Sequence, residues 1–429
     1  MERPNVSLPP QDDRGAARVA SATGRGGLLS KPPRDGSRLH PDIIRLGVVS
    51  LLTDVSSEMI FSVFAVFFTT VIGGSAAALG LVEGLADLSS CSLDYLSGWL
   101  SDLTGRRKPL TLLGYGFATA AKLILPLART TTGLAVFRIV ERLGKSLRGP
   151  PRDAWLAALA GPVERGYSFG VHKALDKAGA VLGPLIAFAL LSILGDGART
   201  YHTLFALAVV PALAALVLLM FIGERVRSRD GHNRLLDAWR SLSPGFKRYL
   251  AVAAIFSLGY FSFAFLLLRA YQTGFSARDT VLLYALFNGI FVLSAPAVGR
   301  LGDRIGRTRL VLVSYGLYLL MCLGFAFGHG KRALIALFAL YGIFYSIDEA
   351  QSRAFIADVQ PQRRATALGT YNLVTGVVYL FASMLAGALW STGGRTVFAL
   401  AAATSAVAMF TLLWLRPAGR SEPDRSQAR

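Results

Sequence analysis

Long apolar stretches alternate with short polar breaks along the chain from residue 43 to residue 416. A helix needs about 20 apolar residues to cross the hydrocarbon layer of a membrane, and twelve stretches of suitable length can be placed in this pattern. It predicts twelve transmembrane helices, numbered here as segments one to twelve: 43–72, 76–101, 109–128, 132–158, 167–194, 200–222, 248–272, 279–300, 309–328, 332–357, 364–390 and 395–416. The composition agrees, since 53% hydrophobic and 17% charged residues give far more apolar surface than one soluble core needs.

The polar breaks of the two halves of the chain repeat each other. The break after segment two contains Gly98-Trp-Leu-Ser-Asp102-Leu-Thr-Gly105-Arg106, and the break after segment eight contains Gly299-Arg-Leu-Gly-Asp303-Arg-Ile-Gly306-Arg307. Residues 162–170 likewise return as 361–369, and an arginine precedes each copy, Arg152 and Arg353. Such an internal repeat is typical of two related structural units. We therefore predict two six-helix bundles, at 41–222 and 248–416.

Lysine and arginine are concentrated in alternate breaks, and this distribution predicts the orientation of the chain. If the N-terminus is inside, the cytoplasmic breaks hold most of these residues, including 106–108, 225–248 and 304–309. By the positive-inside rule, the N-terminal tail 1–40, the linker 223–247 and the C-terminal tail 417–429 are expected in the cytoplasm, the N-terminal tail as a disordered segment. The net charge of +19 then needs no nucleic-acid partner, because the basic residues form short breaks rather than one basic face.

The pattern G-x-x-x-D-x-x-G-R-[RK] after segment two resembles the loop signature of the major facilitator superfamily. It is formed by Gly98, Asp102, Gly105, Arg106 and Arg107. The position after the aspartate, usually basic in that family, is a leucine here, whereas the second copy keeps an arginine. The resemblance extends over roughly residues 43–416. It implies an all-α polytopic membrane protein with twelve transmembrane helices in two pseudo-symmetric six-helix bundles.

Physically, this signature can act as a latch at the cytoplasmic face. An aspartate near the end of one helix can accept hydrogen bonds from a neighbouring helix N-terminus, while the arginines pair with acids across the bundle interface. These contacts must break when that face opens. The predicted cytoplasmic gate consists of Gly98, Asp102, Gly105, Arg106, Arg107, Arg152, Asp303, Gly306, Arg307 and Arg353.

Ionisable residues recur inside the predicted segments, mainly in the first half of the chain. At membrane depth such residues are costly, so they usually face a cavity, a partner or a pathway. Acids lie on one face of segments one and two, and arginines lie on segment four, so Glu58 or Asp87 opposite Arg138 and Arg142 is the expected arrangement. The predicted substrate and proton pathway consists of Asp54, Glu58, Glu83, Asp87, Arg138, Glu141, Arg142, His172, Asp176, Tyr341 and Tyr345. For His172 a packing role is the alternative.

Three further stretches refine the resemblance. Arg138 in segment four resembles the arginine of a family motif associated with proton coupling, although Arg142 stands where that motif has glycine. Gly179-x-x-x-Gly183-Pro184 in segment five resembles a fragment of the motif of proton-linked exporters. The stretch D-x-S-S-E-M at 54–59 resembles a poorly characterised subgroup of prokaryotic permeases. The resemblance thus implies proton coupling and slightly favours efflux.

The sequence motifs typical of several other classes of protein are absent from this chain. No G-x-x-x-x-G-K-[ST] loop is present, so ATP-driven transport is not expected, and neither H-E-x-x-H nor a serine-nucleophile elbow supports a membrane enzyme. The two cysteines, Cys91 and Cys322, lie apart in apolar segments and indicate neither a disulfide framework nor a metal motif. We expect no cofactor and no resident metal.

The sequence therefore predicts a secondary active transporter that works by alternating access. Its substrate is expected to be a small polar or charged organic solute moved with protons, and the protein is expected to be a monomer in the inner membrane of a prokaryote. One alternative is a transporter of divalent cations, because Asp54, Glu58, Glu83 and Asp87 offer oxygen ligands. Another alternative is a membrane sensor or assembly factor that no longer transports.

Overall fold

The computed structural model describes residues 40–160, 165–224, 242–328, 330–360, 364–392 and 394–415. These ranges form thirteen α-helices: α1 (Pro41–Val66), α2 (Ala76–Thr104), α3 (Lys108–Ile124), α4 (Thr131–Leu159), α5 (Arg165–Leu194), α6 (Ala198–Met220), α7 (Pro244–Ser257), α8 (Ala264–Gln272), α9 (Ala277–Ile305), α10 (Arg307–Phe327), α11 (Lys331–Val359), α12 (Arg364–Leu389) and α13 (Arg395–Leu415). The first half below means α1–α6 and the second half α7–α13. Residues 1–39, 225–241 and 416–429, which include nearly all of the predicted tails and linker, lie outside the described residues.

Each predicted segment corresponds to a helix of the structure, with one difference. Segment seven was expected as a continuous helix, but the structure divides it into α7 and α8. At the break, Gly259 lies against α13, where a Cβ atom would approach Cα of Ala401 to 2.8 Å. The hydroxyl of Ser262 accepts a hydrogen bond from the backbone N–H of Ala264 (3.3 Å), which satisfies one donor at the start of α8.

Nine helices of the described ranges are long and apolar enough to cross a membrane on their own composition. The other three predicted segments are α4, the α7–α8 pair and α11. Charged residues distributed along α4 lower its hydropathy, and α7 and α8 are each too short alone. Together these helices make the all-α fold with twelve membrane-spanning segments in two six-helix bundles that the sequence predicts.

The two halves meet along two main helix pairs, α2 with α12 and α5 with α9. Small residues allow α2 and α12 to approach closely, because a Cβ atom on Gly84 would lie 3.0 Å from backbone atoms of Leu380. The turns at Gly105 and Gly306 lie at one end of the helices, called here the Gly105 end. The turn at Gly73 lies at the opposite end, called the Gly73 end.

Candidate functional site

Four charged side chains are buried together inside the first half, and we call them the buried cluster. They are Glu83 on α2, Lys122 on α3, and Arg138 and Glu141 on α4, and none is more than 4% exposed. Two acids and two bases balance each other in charge. Charged groups at membrane depth require such compensation, because an isolated charge in an apolar interior is strongly disfavoured.

Arg138 is the centre of the buried cluster. Its Nε and Nη2 atoms donate to the two carboxylate oxygens of Glu83 at 2.8 and 3.1 Å, a bidentate pair. Its Nη1 atom donates to Glu141 at 3.1 Å. The guanidinium also lies 4.6 Å from the ring centroid of Phe61 on α1, a cation–π distance. Arg138 thus joins three helices of the first half.

Lys122 completes the cluster through a serine. Its Nζ atom donates to the hydroxyl of Ser57 at 2.8 Å, and that hydroxyl donates to Glu141 at 3.0 Å. Lys122 is not among the site residues predicted from the sequence. The available signal was its position, since a lysine within an apolar membrane segment is as unusual as the acids that were selected.

Two acids of α1 lie close to the buried cluster without belonging to it. Asp54 is 8% exposed and Glu58 is partly buried. Among the described residues, neither carboxylate has a lysine or arginine nitrogen within 4.0 Å. Glu58 instead accepts a hydrogen bond from the hydroxyl of Tyr284 on α9, in the second half. Glu58 therefore does not face Arg138 or Arg142 as a direct partner, in contrast to one of the two expected arrangements.

The other expected arrangement is present in part, with Arg142 and not with Arg138. Asp87 on α2 lies 3.6 Å from Arg142 on α4, and their side chains are 26% and 22% exposed. Lys145, one turn further along α4, is exposed although it lies near the middle of its helix. This part of α4 is therefore not fully covered by the neighbouring helices of the described ranges.

A second set of polar and charged residues lies on α1, α4 and α5, nearer the Gly105 end. Asp176 accepts from Ser50 at 2.6 Å and lies 3.9 Å from Arg152. Lys173 lies 3.4 Å from Asp176 and 3.9 Å from Glu349 on α11, which connects the two halves. His172 is 3% exposed, and its Nε2 atom has no hydrogen-bond partner among the described residues. Of the predicted pathway residues, Asp176 and His172 thus lie in this group, together with the predicted gate residue Arg152.

The predicted gate is only partly described. Gly105 and Gly306 end α2 and α9 with φ of +61° and +88°, a left-handed conformation that favours glycine. Gly98 lies on α2, and Arg307 begins α10. Arg106 is exposed, whereas Arg107 is 7% exposed and its backbone N–H donates to Glu224. The side chains of Asp102, Asp303 and Arg353 lie outside the described residues, so the latch itself stays a prediction.

Aromatic rings of the second half lie opposite the charged side chains of the first half. Tyr341 and Tyr345 on α11 lie 5.3 and 5.6 Å from the ring centroid of Phe287 on α9. The hydroxyl of Tyr341 donates to that of Tyr260 at 3.2 Å. From the first half, the ammonium of Lys177 lies 4.3 Å from the ring centroid of Phe291. A charged first half thus faces an aromatic, hydroxyl-bearing second half.

A metal site gains no support from this geometry. Within the described ranges, no group of three or more histidine, cysteine, aspartate or glutamate side chains is placed to hold a metal ion. Glu83 is bound by Arg138, and Asp87 lies beside Arg142, so two of the four oxygen donors proposed for a divalent cation already face cations.

Comparison with known proteins gives consistent results. The model of the Major Facilitator Superfamily matches residues 46–331 and 249–429. An uncharacterized MFS-type transporter of Methanocaldococcus jannaschii is 32% identical over 394 residues, which are 90% of this chain and 98% of that protein. Multidrug resistance protein MdtH of Aeromonas hydrophila subsp. hydrophila is 30% identical over 174 residues, 39% of this chain and 44% of that protein. A crystal structure of a variant of the nucleoside transporter NupG aligns with a TM-score of 0.75 at 12% identity, covering 87% of this chain and 99% of that one.

Proposed function

Because the chain belongs to the Major Facilitator Superfamily and is a secondary transporter rather than an enzyme, we propose that it moves a small polar or charged organic solute together with protons. In alternating access, two bundles rock about a central site, and the occupancy of that site changes which face is open. We assign the proton to Glu58.

The observation that carries this proposal is the different charge environment of the deep acids. Glu83 and Glu141 both pair with Arg138, so protonating either acid would leave the buried cluster with an excess positive charge. Glu58 has no such cation within 4.0 Å among the described residues, and it contacts the second half through Tyr284. A proton can therefore bind there without unpairing a cation, at a place where the two halves meet.

The nature of the solute follows from the two facing surfaces. Lys145 of the first half offers a charged hydrogen-bond donor, while Tyr341 and Tyr345 offer aromatic faces and hydroxyl groups. A small organic molecule with polar or charged groups matches both surfaces. The alternative of a bare divalent cation matches only the acids, and the neighbouring arginines repel it.

Export is the direction that we favour. The name of the partial relative, a multidrug resistance protein, supports it. The glycines of the 179–184 stretch support it less, because they have a packing role: a Cβ atom on Gly183 would lie 2.7 Å from the carbonyl oxygen of Val55.

Transport by purified protein in proteoliposomes tests the proposal. We would measure the flux of uridine, a dipeptide, 5-aminolevulinic acid, D-xylose and ethidium, each with and without a pH gradient. These probes are first ranked by the shift in melting temperature that each causes. The expected result is flux of at least one probe that falls to the passive rate when the gradient is dissipated. Equal flux with and without a gradient, for a probe that the protein transports, would contradict proton coupling.

The same proposal includes an orientation, with both termini and the 223–247 linker in the cytoplasm of a prokaryote and the signature loop acting as a cytoplasmic gate. A cysteine in place of Ser228, in a background without Cys91 and Cys322, is expected to resist a membrane-impermeant maleimide in intact cells. A cysteine in place of Asp196, an exposed residue at the Gly73 end, is the matched control and is expected to react. The reverse labelling pattern would show that the orientation is wrong.

A further inference from the structure

Two hydroxyl groups of the second half donate hydrogen bonds to deep carboxylates of the first half. Ser262, between α7 and α8, donates to Glu83 at 2.9 Å. Tyr284, on α9, donates to Glu58. The partners are far apart in sequence, so these contacts exist only while the two halves are packed together. Both are therefore contacts that alternating access must break or rearrange.

The two contacts respond differently to protons. Glu83 is bound on both carboxylate oxygens by Arg138, so its contact with Ser262 belongs to a charge-balanced unit. Glu58 has no cation within 4.0 Å in the described part of the chain. A hydrogen bond to a charged carboxylate is roughly twice as strong as one between neutral groups. Proton uptake by Glu58 therefore weakens the bond from Tyr284 and leaves the bond from Ser262 unchanged.

Tyr284 is held firmly in the second half. It is 5% exposed, and its ring lies 5.1 Å from that of Phe263 and 5.8 Å from that of Phe287. Its carbonyl oxygen accepts from the side-chain amide of Asn288 at 3.2 Å. Toward the first half, the ring makes an edge contact with Phe61 on α1, at 5.4 Å. Because the ring is packed on both sides, its hydroxyl moves away from Glu58 only when α9 moves relative to α1.

Other titratable groups surround this contact, and the experiment must separate them from Glu58. Asp54 lies one turn earlier on α1 and interacts electrostatically with Glu58. The helices packed against α1 carry further charged or titratable groups, among them Arg138, Glu141 and Lys145 on α4, Asp176 and Lys177 on α5, His202 on α6, Arg269 on α8, and Arg278 and Asp279 on α9. Of these, His202 lies against Phe67 and Arg269 against the carbonyl of Phe325, both away from Glu58.

We propose that Tyr284 is the positioning residue that transmits the protonation of Glu58 to the second half. With Glu58 charged, the hydrogen bond holds α1 against α9; with Glu58 protonated, the weaker bond allows the halves to separate at the Gly73 end. This inference rests on the proposed function, in which Glu58 carries the proton. It adds the residue through which that proton changes the conformation.

The test measures the distance between two spin labels at the Gly73 end, one on each half, and it needs no substrate. The labels replace Asp196 and Arg332, both exposed, in a background without Cys91 and Cys322. Protein in lipid nanodiscs is measured over a pH series. In the parent, acid is expected to increase the population with the longer distance. In Tyr284→Phe, which keeps the ring and removes the hydroxyl, the longer distance is expected at every pH, with loss of the pH dependence.

Controls separate this inference from the proposed function. Tyr318→Phe removes a hydroxyl that donates within the second half, to the carbonyl oxygen of Gly259, and it is expected to behave like the parent. Asp54→Asn is expected to keep the pH dependence, whereas Glu58→Gln is expected to lose it. Adding Tyr284→Phe to Glu58→Gln should then change little, because the two residues act through one contact. A pH dependence that Glu58→Gln removes but Tyr284→Phe preserves would overturn the role of Tyr284 alone.

Each of the remaining outcomes either supports or contradicts the inference. A parent without pH dependence, or a Glu58→Gln variant that retains it, contradicts both the inference and the choice of Glu58. If Tyr284→Phe does not fold, a fluorotyrosine at position 284 replaces it, since fluorination makes the hydroxyl a stronger donor while keeping the ring. The midpoint of the distance change should then move to lower pH, because the stronger bond favours the charged carboxylate. An unchanged midpoint would overturn the role of Tyr284.

Discussion

Replacing Arg138 by glutamine is expected to lower the free energy of unfolding by about 3–5 kcal/mol. The arginine carries three hydrogen bonds to Glu83 and Glu141, and both acids are almost fully buried. Its loss leaves an excess negative charge in an apolar interior with only Lys122, reached through Ser57, to compensate it. The melting temperature and expression level of the purified protein measure this effect, with transport expected to fall in parallel.

A double-mutant cycle separates the pairing from the loss of either charge. Glu83→Gln combined with Arg138→Gln restores charge balance, so the double variant is expected to be more stable than the sum of the two single effects predicts. Arg142→Gln is the matched control, because its ion pair with Asp87 is longer, at 3.6 Å, and partly exposed to solvent. Its cost should be about 1 kcal/mol or less. Equal losses in Arg138→Gln and Arg142→Gln would show that burial of the cluster does not determine stability.

The positions of the membrane segments could be predicted from sequence because they depend on local composition alone. An apolar stretch of sufficient length specifies a membrane helix wherever it packs. The break at 258–263 could not be predicted in this way, since one glycine is tolerated within a helix and no proline marks the position. It depends on the close approach of α13 at Gly259, a contact between distant parts of the chain.

The site was predicted in its residue types and only partly in its pairing. Helical periodicity correctly selected Glu83, Arg138 and Glu141 as inward-facing, because a charged stripe cannot face lipid. It could not decide which acid meets which base, since several acids lie within reach of the same helix. The contacts of Ser262 and Tyr284 with the first half join residues 179 and 226 positions apart, and no local pattern encodes them.

Glu58→Gln is expected to abolish gradient-driven transport of a probe while leaving counterflow, the exchange of probe present on both sides, close to the parental rate. The substitution fixes this position in a neutral form, so the loaded carrier can still change conformation but gains nothing from the proton gradient. Because no lysine or arginine lies within 4.0 Å of Glu58 in the described ranges, the neutral side chain unpairs no cation. The melting temperature should therefore stay near that of the parent, in contrast to Arg138→Gln.

Asp87→Asn is the matched comparison, because it neutralises an acid at similar depth that does face a cation, Arg142. It is expected to lower gradient-driven transport and counterflow together, with a fall in melting temperature no larger than that of Arg142→Gln, because the pair is partly exposed. The two variants thus differ in the ratio of gradient-driven transport to counterflow, which only a coupling acid should change. If that ratio falls in Asp87→Asn and not in Glu58→Gln, the coupling acid is Asp87. If both variants behave like the parent in all three assays, the coupling acid is neither residue, and Asp54 is the remaining deep acid of α1 without a cation within 4.0 Å among the described residues.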